Sequence, residues 1–347
     1  MTTPVPLSAR LAALLTLVLT LAAAACAQPL PTTPPAPPAK KPVIVCTVSM
    51  ITSVVAEIAG DRCEVTGLIG AGIDPHLFKP TRADVARLLS ADAVFFNGLH
   101  LEGKLIEALE RVGKNGKPVV AVTRDVPPAS LHHPGGTGEH PDPHVWMDPT
   151  LWASTAGVIA ETLASIDPAG KDGFTRRAEA FKARADSLHA YAQKVLNTVP
   201  KDARVLVTAH DAFGYFGSRY GFEVVGLQGI STESEAGVRD VERIVSMLVD
   251  RKIRAVFVES TIPPRTVRAL VEGAGAKGHA VTIGGELFSD AAGAAGTYEG
   301  TYIGMIDHNV TTIARALGGE APSGGMDGRL SSPFMDREKP DPAEAPK

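Results

Sequence analysis

Apolar runs of strand length alternate with amphipathic segments of helix length over most of the chain, in two successive sets. Eight runs rich in β-branched residues predict strands, at 43–48, 64–69, 93–97, 119–122, 205–209, 223–227, 255–259 and 280–283. The segments between or after them predict helices, near 51–60, 82–90, 102–112, 213–220, 237–251, 266–274 and 303–317. Because this alternation is typical of βαβ units, we expect an α/β protein with two Rossmann-like lobes of parallel sheet.

The segment between the two sets has a different pattern. Its apolar residues recur at steps of three and four and form one stripe: Phe174, Ala178, Phe181, Ala185, Leu188, Ala192, Val195 and Val199. Charged residues occupy the opposite face, and Pro200 ends the pattern. We therefore expect a single long, rigid backbone helix within 168–200, between an N-terminal lobe at 43–167 and a C-terminal lobe at 201–317. A helix of about 26 residues would be nearly 40 Å long, enough to run along both lobes.

The two ends of the chain lack the composition of a folded core. The apolar run from Leu11 to Ala25 predicts a signal peptide over 1–27, and hence an exported protein. Cys26 follows small residues, as in a bacterial lipobox, where the cysteine is lipidated; ordinary cleavage after Ala25-Cys26-Ala27 is the alternative. A Pro-rich tether is expected at 28–42 and a disordered tail at 318–347.

Composition narrows the function further. The chain has 347 residues, enough for two domains, and a net charge of −4 with acidic and basic residues mixed, which gives no basis for binding nucleic acid. Beyond Cys26 there are two cysteines, Cys46 and Cys63. In an exported protein they could form a disulfide, but two buried thiols are an equal alternative because neighbouring parallel strands rarely present suitable geometry.

Four polar residues follow predicted strands in four separate loops: His76, His144, His210 and Asp290. Since ligands bind beyond the carboxyl ends of strands in open α/β sheets, two residues from each lobe are expected to face one another across the cleft. Imidazole nitrogens and a carboxylate oxygen suit zinc and can also hold manganese or iron. Four protein ligands leave no position for a reactive water, which favours a metal carrier over an enzyme.

Further acidic residues lie close to these four. Asp74 and Asp142 each stand two residues before a histidine and could orient it or close a turn. Asp148 and Asp211 could support the site in the same way, or could be helix N-caps.

Several motifs, spread from about Val43 to Leu317, carry a family resemblance: GIDPHLFKPTRADV, FFNGLHLEGKL, DPHVWMDP, TAHDAFGYF, LQGISTESEAG and LFSDAAGAAGTYEGTYIGMIDHNVTTI. The chain resembles the metal-binding subunits of bacterial ABC importers for zinc and manganese, the TroA-like and ZnuA-like family of cluster A-I. The resemblance implies two α/β lobes joined by a long helix, with one metal ion in the cleft between them. It places the ligands at His76, His144, His210 and Asp290; some manganese binders have Glu where this chain has His210.

The family resemblance also concerns the loop at 127–143, which carries His132, His133 and His140. It is similar to a short form of the His-rich loop that zinc members are proposed to use for metal capture. The alternative, which the polar composition favours, is a solvated loop with incidental histidines.

The resemblance implies an extracytoplasmic binding protein that captures zinc, or next manganese, and delivers it to the membrane-spanning permease of an ABC importer. We expect a monomer that is periplasmic or anchored at the cell surface by lipid. A zinc-dependent hydrolase and a surface adhesin of the same family are the alternatives. The hydrolase is less favoured because Asp290 provides a fourth ligand and no HExxH motif is present.

Overall fold

A computed structural model describes residues 40–134 and 140–331, and its first lobe is built around one parallel sheet. The four strands are β1 (Val43–Cys46), β2 (Glu64–Gly67), β3 (Ala93–Phe96) and β4 (Val119–Ala121), in the order β2-β1-β3-β4. The helices are α1 (Ser49–Ala59), α2 (Arg82–Ser90) and α3 (Ile106–Lys114). The central strands β1 and β3 read VIVC and AVFF and are almost wholly buried, as expected for parallel strands covered on both faces.

The second lobe contains two pairs of parallel strands that lie side by side. One pair is β5 (Val205–His210) with β6 (Glu223–Gln228), and the other is β7 (Ala255–Glu259) with β8 (Thr282–Leu287). Helices α7 (Gly214–Tyr220), α8 (Val238–Asp250), α9 (Arg265–Ala276) and α10 (Tyr302–Ala316) surround the strands. The predicted α/β class with parallel sheets in two lobes is confirmed.

Three helices lie between the strands of the first lobe and those of the second. Two of them were not predicted, the single turn α4 (Pro149–Trp152) and α5 (Thr155–Ile166). The third, α6 (Lys171–Leu196), has 26 residues and buries the apolar stripe read from the sequence. It packs against α1 and α5 from the first lobe and against α10 from the second. At 1.5 Å per residue it is about 39 Å long, so both lobes rest on the same helix.

The lobes also contact each other directly, through buried side chains on the helix side of the cleft. Trp146 Nε1 donates to the Ser289 carbonyl oxygen at 2.8 Å, and Tyr302 Oη donates to the Trp146 carbonyl oxygen at 2.9 Å. One cluster of buried apolar residues includes members of both lobes. The lobes are therefore fixed to each other on this side. A further buried hydrogen bond joins the lobes at the 127–143 loop, where Tyr215 Oη donates to the Asp142 carbonyl oxygen at 2.8 Å.

The structure differs from the sequence predictions at the C-terminal end. The strand predicted at 280–283 is β8 (Thr282–Leu287), which continues through Gly284 and Gly285. The part of the expected disordered tail that is described, 318–331, packs on the second lobe. The buried Asp307 carboxylate accepts the Met326 backbone N–H, and Glu299 Oε1 accepts that of Ser331 at 2.6 Å. The prediction of disorder is wrong for this part because composition does not reveal acceptors supplied by distant residues.

Both cysteines of the described region are free thiols. Cys46 ends β1 and Cys63 lies just before β2, and the two are buried without a bond between them. Of the two alternatives left open by the sequence, the structure has the pair of buried thiols.

Candidate metal site between the lobes

The four predicted ligand residues converge at the cleft, one from the end of a strand and three from segments that follow strands. His76 lies after β2, His144 after β4, His210 is the last residue of β5, and Asp290 stands three residues after β8. All four side chains are buried, with at most 5% of the surface of any residue exposed. One potential ligand atom from each lies within 4.8 Å of the others, and no second such cluster exists within 40–134 and 140–331.

The distances between these atoms fit a small metal ion. His76 Nε2 is 3.3 Å from His144 Nε2, while His144 Nε2 and His210 Nε2 lie 3.3 and 3.2 Å from the Asp290 oxygens. Donor atoms about 2.0–2.1 Å from a tetrahedral zinc ion are roughly 3.3 Å apart. Neither Asp290 oxygen accepts a hydrogen bond of normal geometry from the described residues. Since a buried carboxylate is costly without partners, the arrangement is typical of a site for a cation.

Two of the histidines are oriented by buried carboxylates behind them. Asp142 Oδ1 accepts from the His144 backbone N–H at 2.9 Å and from Nδ1 at 2.6 Å. Glu259, the last residue of β7, accepts from the His210 backbone N–H at 2.8 Å and from Nδ1 at 2.5 Å. In both rings the hydrogen bond leaves Nε2 as the nitrogen that faces the cluster. Glu259 was missed in the sequence, although it is the last residue of a predicted strand and the four ligand candidates follow predicted strands.

The third histidine is held differently. The His76 backbone N–H donates to Asp74 Oδ1 at 2.8 Å, but no carboxylate in the described chain accepts from the His76 ring at its Nδ1. The other oxygen of Asp74, Oδ2, accepts the hydroxyl of Thr232 in the second lobe at 2.6 Å. Asp74 therefore holds the backbone of His76, not its ring, and it also connects the first lobe to the second.

The pKa values of the four residues in the cluster depend on their burial and on the charges around them. Burial alone would lower the pKa of His144, but the charge and hydrogen bond of Asp142 and the nearby charge of Asp290 outweigh it and raise that pKa to about 9. The pKa of His210 is likewise raised despite burial, by Asp290 and Glu259. Burial lowers the pKa of His76 to about 4. Asp290 has a pKa well below its usual range because His210 and His144 outweigh its burial.

The remaining acidic candidates lie near the site without touching a ligand ring. Asp148 is the N-cap of α4, accepting the Thr150 backbone N–H at 2.9 Å, and it pairs with Arg219 of the second lobe. Asp211 does not cap α7, whose N-cap is Phe213. Asp211 lines the same cavity as His76, and burial raises its pKa.

A cavity of about 810 Å³ leads from the surface to His76. His100 and His140 both line it, and their rings stack at a centroid distance of 3.3 Å. His132 instead stacks on Tyr215 at 4.1 Å. Within the described residues, His133 neither lines this cavity nor stacks on another ring. The three histidines of the 127–143 loop thus have different surroundings, and residues 135–139 lie outside the described ranges.

The features predicted at the N-terminus, the signal peptide at 1–27 with Cys26 and most of the tether at 28–42, also lie outside the described residues. Among the helices that are described, none is both long enough and apolar enough to cross a bilayer.

Comparison with known proteins places this geometry in a family. The model of the family described as zinc-uptake complex component A, periplasmic, matches residues 44–316. The manganese-binding lipoprotein MntA of Bacillus subtilis (strain 168) is 45% identical over 274 residues, covering 79% of this chain and 89% of the relative. The zinc-binding protein TroA of Treponema pallidum (strain Nichols) is 46% identical over 277 residues, covering 80% and 89%.

Solved structures of related proteins have the same fold as this chain. The periplasmic zinc-binding protein TroA from Treponema pallidum superposes with a TM-score of 0.78 at 45% identity, covering 80% of this chain and 99% of that one. Fe(III)-bound YtgA from Chlamydia trachomatis superposes with a TM-score of 0.71 at 27% identity, covering 81% and 99%. The resemblance read from the sequence motifs is confirmed, and the chain belongs to the family of periplasmic zinc-uptake component A proteins.

Proposed function

We propose that this chain captures one divalent transition metal ion outside the cytoplasm and delivers it to the permease of an ABC importer. The observation that carries the proposal is the convergence of three buried imidazoles on a buried carboxylate whose oxygens accept no regular hydrogen bond in the described chain. The proposed ligands are His76, His144, His210 and Asp290. Relatives named for binding zinc or manganese support the same function.

Zinc is the proposed cargo, with manganese second. Three imidazoles and one carboxylate bind zinc more tightly than manganese, because zinc stands above manganese in the order of divalent metal affinities. The relatives include proteins named for zinc, manganese and iron, so the fold accommodates each of them.

Carriage is favoured over hydrolysis by the coordination that these residues offer. Catalytic zinc keeps a position for water beside a general base. Here Asp290 faces both His144 and His210, and the carboxylates Asp142 and Glu259 are occupied by hydrogen bonds to the imidazoles. No observation favours the surface adhesin.

The proposal places the protein at the outer face of the membrane, either free in the periplasm or held by lipid on Cys26, as a monomer that docks on its permease. Relatives named as lipoproteins support the anchor. Mass spectrometry of the mature N-terminus checks it: a lipid adduct that disappears in Cys26→Ser supports anchoring, and an unmodified mature chain contradicts it. Metal capture by the 127–143 loop, with His132, His133 and His140, stays a prediction. Deleting the loop and measuring the rate of zinc binding tests it.

The main test is the metal content of the purified protein together with zinc–manganese competition binding. We expect one equivalent of metal in the wild type and its loss in His144→Ala and His210→Ala. His189→Ala is the matched control, because His189 lies on α6 beside Tyr220 and outside the cluster. Wild-type metal content in both cluster variants would contradict the proposed site, and hydrolytic activity dependent on His144 would favour the enzyme.

A further inference from the structure

The mouth of the cleft is crossed by a loop of the second lobe, residues 229–237. Thr232 Oγ1 donates to Asp74 Oδ2 of the first lobe at 2.6 Å. The next residue, Glu233, pairs with Lys104 Nζ of the first lobe at 2.7 Å. Gly229, Ile230, Ser231 and Glu233 also line the cavity that leads to His76. The loop therefore joins the lobes beside the route to the proposed metal site.

His76 is the proposed ligand that this loop affects most directly. The rings of His144 and His210 are each fixed by a buried carboxylate, whereas His76 is held through its backbone N–H by Asp74. Asp74 in turn receives the Thr232 hydroxyl, so the position of His76 depends on a contact across the cleft.

The segment around His76 is also lightly packed. Ile73 and Leu77 flank His76 with 44% and 46% of their surface exposed, and they are among the few large apolar residues so exposed in the described chain. Segments with few buried apolar contacts open at low cost.

The contact between the lobes on the helix side is of another kind. Trp146, Ser289 and Tyr302 form buried hydrogen bonds on the helix side, within an apolar core common to both lobes. Moving the lobes apart there would expose that core, whereas the 229–237 loop contacts the first lobe at the mouth through the Thr232 hydrogen bond and the Glu233 ion pair. Local opening of the mouth is therefore easier than rotation of a whole lobe.

We propose that the 229–237 loop gates the metal site, and that Thr232, assisted by Glu233, sets the rate at which metal leaves. When the Thr232 hydroxyl separates from Asp74, the segment around His76 moves outward, one of four ligands is withdrawn, and the ion reaches the cavity. Thr232 is a positioning residue, because it acts through Asp74 and His76. This inference rests on the proposed function, since it assigns kinetics to the same site.

Zinc release from the loaded protein to excess chelator, followed by stopped flow, tests the gate. Thr232→Val keeps the shape of the side chain but removes the donor, and should accelerate release about ten- to a hundredfold, as expected for losing a hydrogen bond to a charged group. Thr232→Ser retains the hydroxyl and should release zinc within about twofold of wild type. Zinc association should also accelerate, so that affinity changes less than either rate, which a simple loss of a ligand would not produce.

The loop supplies its own matched control for Glu233. Glu233→Gln breaks the ion pair across the cleft and should accelerate release about two- to fivefold at low salt and less at high salt. Glu235→Gln breaks an exposed ion pair with Arg265 within the second lobe, and should leave release unchanged. Should Thr232→Val fail to fold, the Glu233 and Glu235 pair carries the test with the same readout.

Two results would overturn the gate while leaving the proposed function in place: release from Thr232→Val at the wild-type rate, or equal acceleration in Glu233→Gln and Glu235→Gln. Absence of zinc and manganese binding in the wild-type protein would instead overturn the proposed function, and the gate with it.

Discussion

Replacing Glu259 by Gln tests how the second lobe prepares His210 to bind metal. The two carboxylate oxygens accept separate hydrogen bonds, one from the His210 backbone N–H and one from the ring Nδ1. Gln has nearly the same shape but only one acceptor oxygen, and its amide group is a donor. One of the two N–H groups of His210 therefore loses its acceptor in a fully buried position.

The effect on affinity follows from this loss. Removing a carboxylate that orients a ligand histidine typically weakens metal binding about 10- to 100-fold, or about 1.4–2.7 kcal/mol. A second effect opposes it: together with Asp290, Glu259 raises the pKa of His210, so at neutral pH the metal must displace a proton. Glu259→Gln weakens that competition. The loss of affinity should therefore be larger at pH 9 than at pH 7.

In the metal-free protein, the loss of stability caused by Glu259→Gln should depend on pH in the opposite direction to the loss of metal affinity. Because the folded pKa of His210 is raised, its charged form stabilises the fold fully below the unfolded value near 6.5, and this contribution is lost as pH rises through the folded pKa. Glu259→Gln should therefore destabilise more at pH 6 than at pH 9. The unpaired N–H adds about 1–3 kcal/mol, which corresponds to a fall of several degrees in melting temperature.

Competition with a chromophoric chelator at pH 7 and pH 9 measures the affinity, and thermal melts of the metal-free protein measure the stability. Glu272→Gln is the matched control, since Glu272 is an exposed residue of α9. A dissociation constant within about twofold of wild type at both pH values would refute the orienting role of Glu259.

Three further predictions concern the same protein. Because the pKa of His144 is about 9 and that of His210 is raised, while His76 is already neutral, zinc binding at pH 7 should release about two protons; titration calorimetry in buffers of different ionisation enthalpy measures this, and no release would contradict it. Zinc at a thousandfold excess over its dissociation constant should stabilise the fold by about 4 kcal/mol, and a melting temperature insensitive to zinc at pH 7.5 would count against the site. Truncation after Leu317 removes the Met326 N–H from Asp307 and should lower the free energy of unfolding by about 1–3 kcal/mol, whereas unchanged denaturant unfolding would show that the 318–331 contacts are dispensable.

The sequence predicted most of the framework because hydrophobic periodicity reports burial directly. The stripe of α6 and the short buried strands were readable for this reason. The helix α5, in contrast, was missed although Val158, Ile159 and Leu163 are buried there, because its remaining residues are small and give little contrast between its faces. The bounds of β8 were misjudged because Gly284 and Gly285 resemble a strand end.

The site residues could be predicted for a different reason, because the carboxyl ends of parallel strands lie at one edge of a sheet. This rule selected His76, His144, His210 and Asp290, which the structure brings together. The rule did not select Glu259, because the function of this carboxylate depends on which residue lies beside it across the sheet, and the sequence does not give that neighbour. The pairing of Asp74 with Thr232 joins residues 158 positions apart, and no local pattern encodes it.

The long helix has a consequence for how the metal is chosen. The helix α6 and the apolar core shared by both lobes already hold the two lobes together. Little of the binding energy is then needed to bring the lobes together, and discrimination between metals cannot come from the extent of a domain closure. It has to reside in the donor atoms and in the rigidity of the few residues behind them.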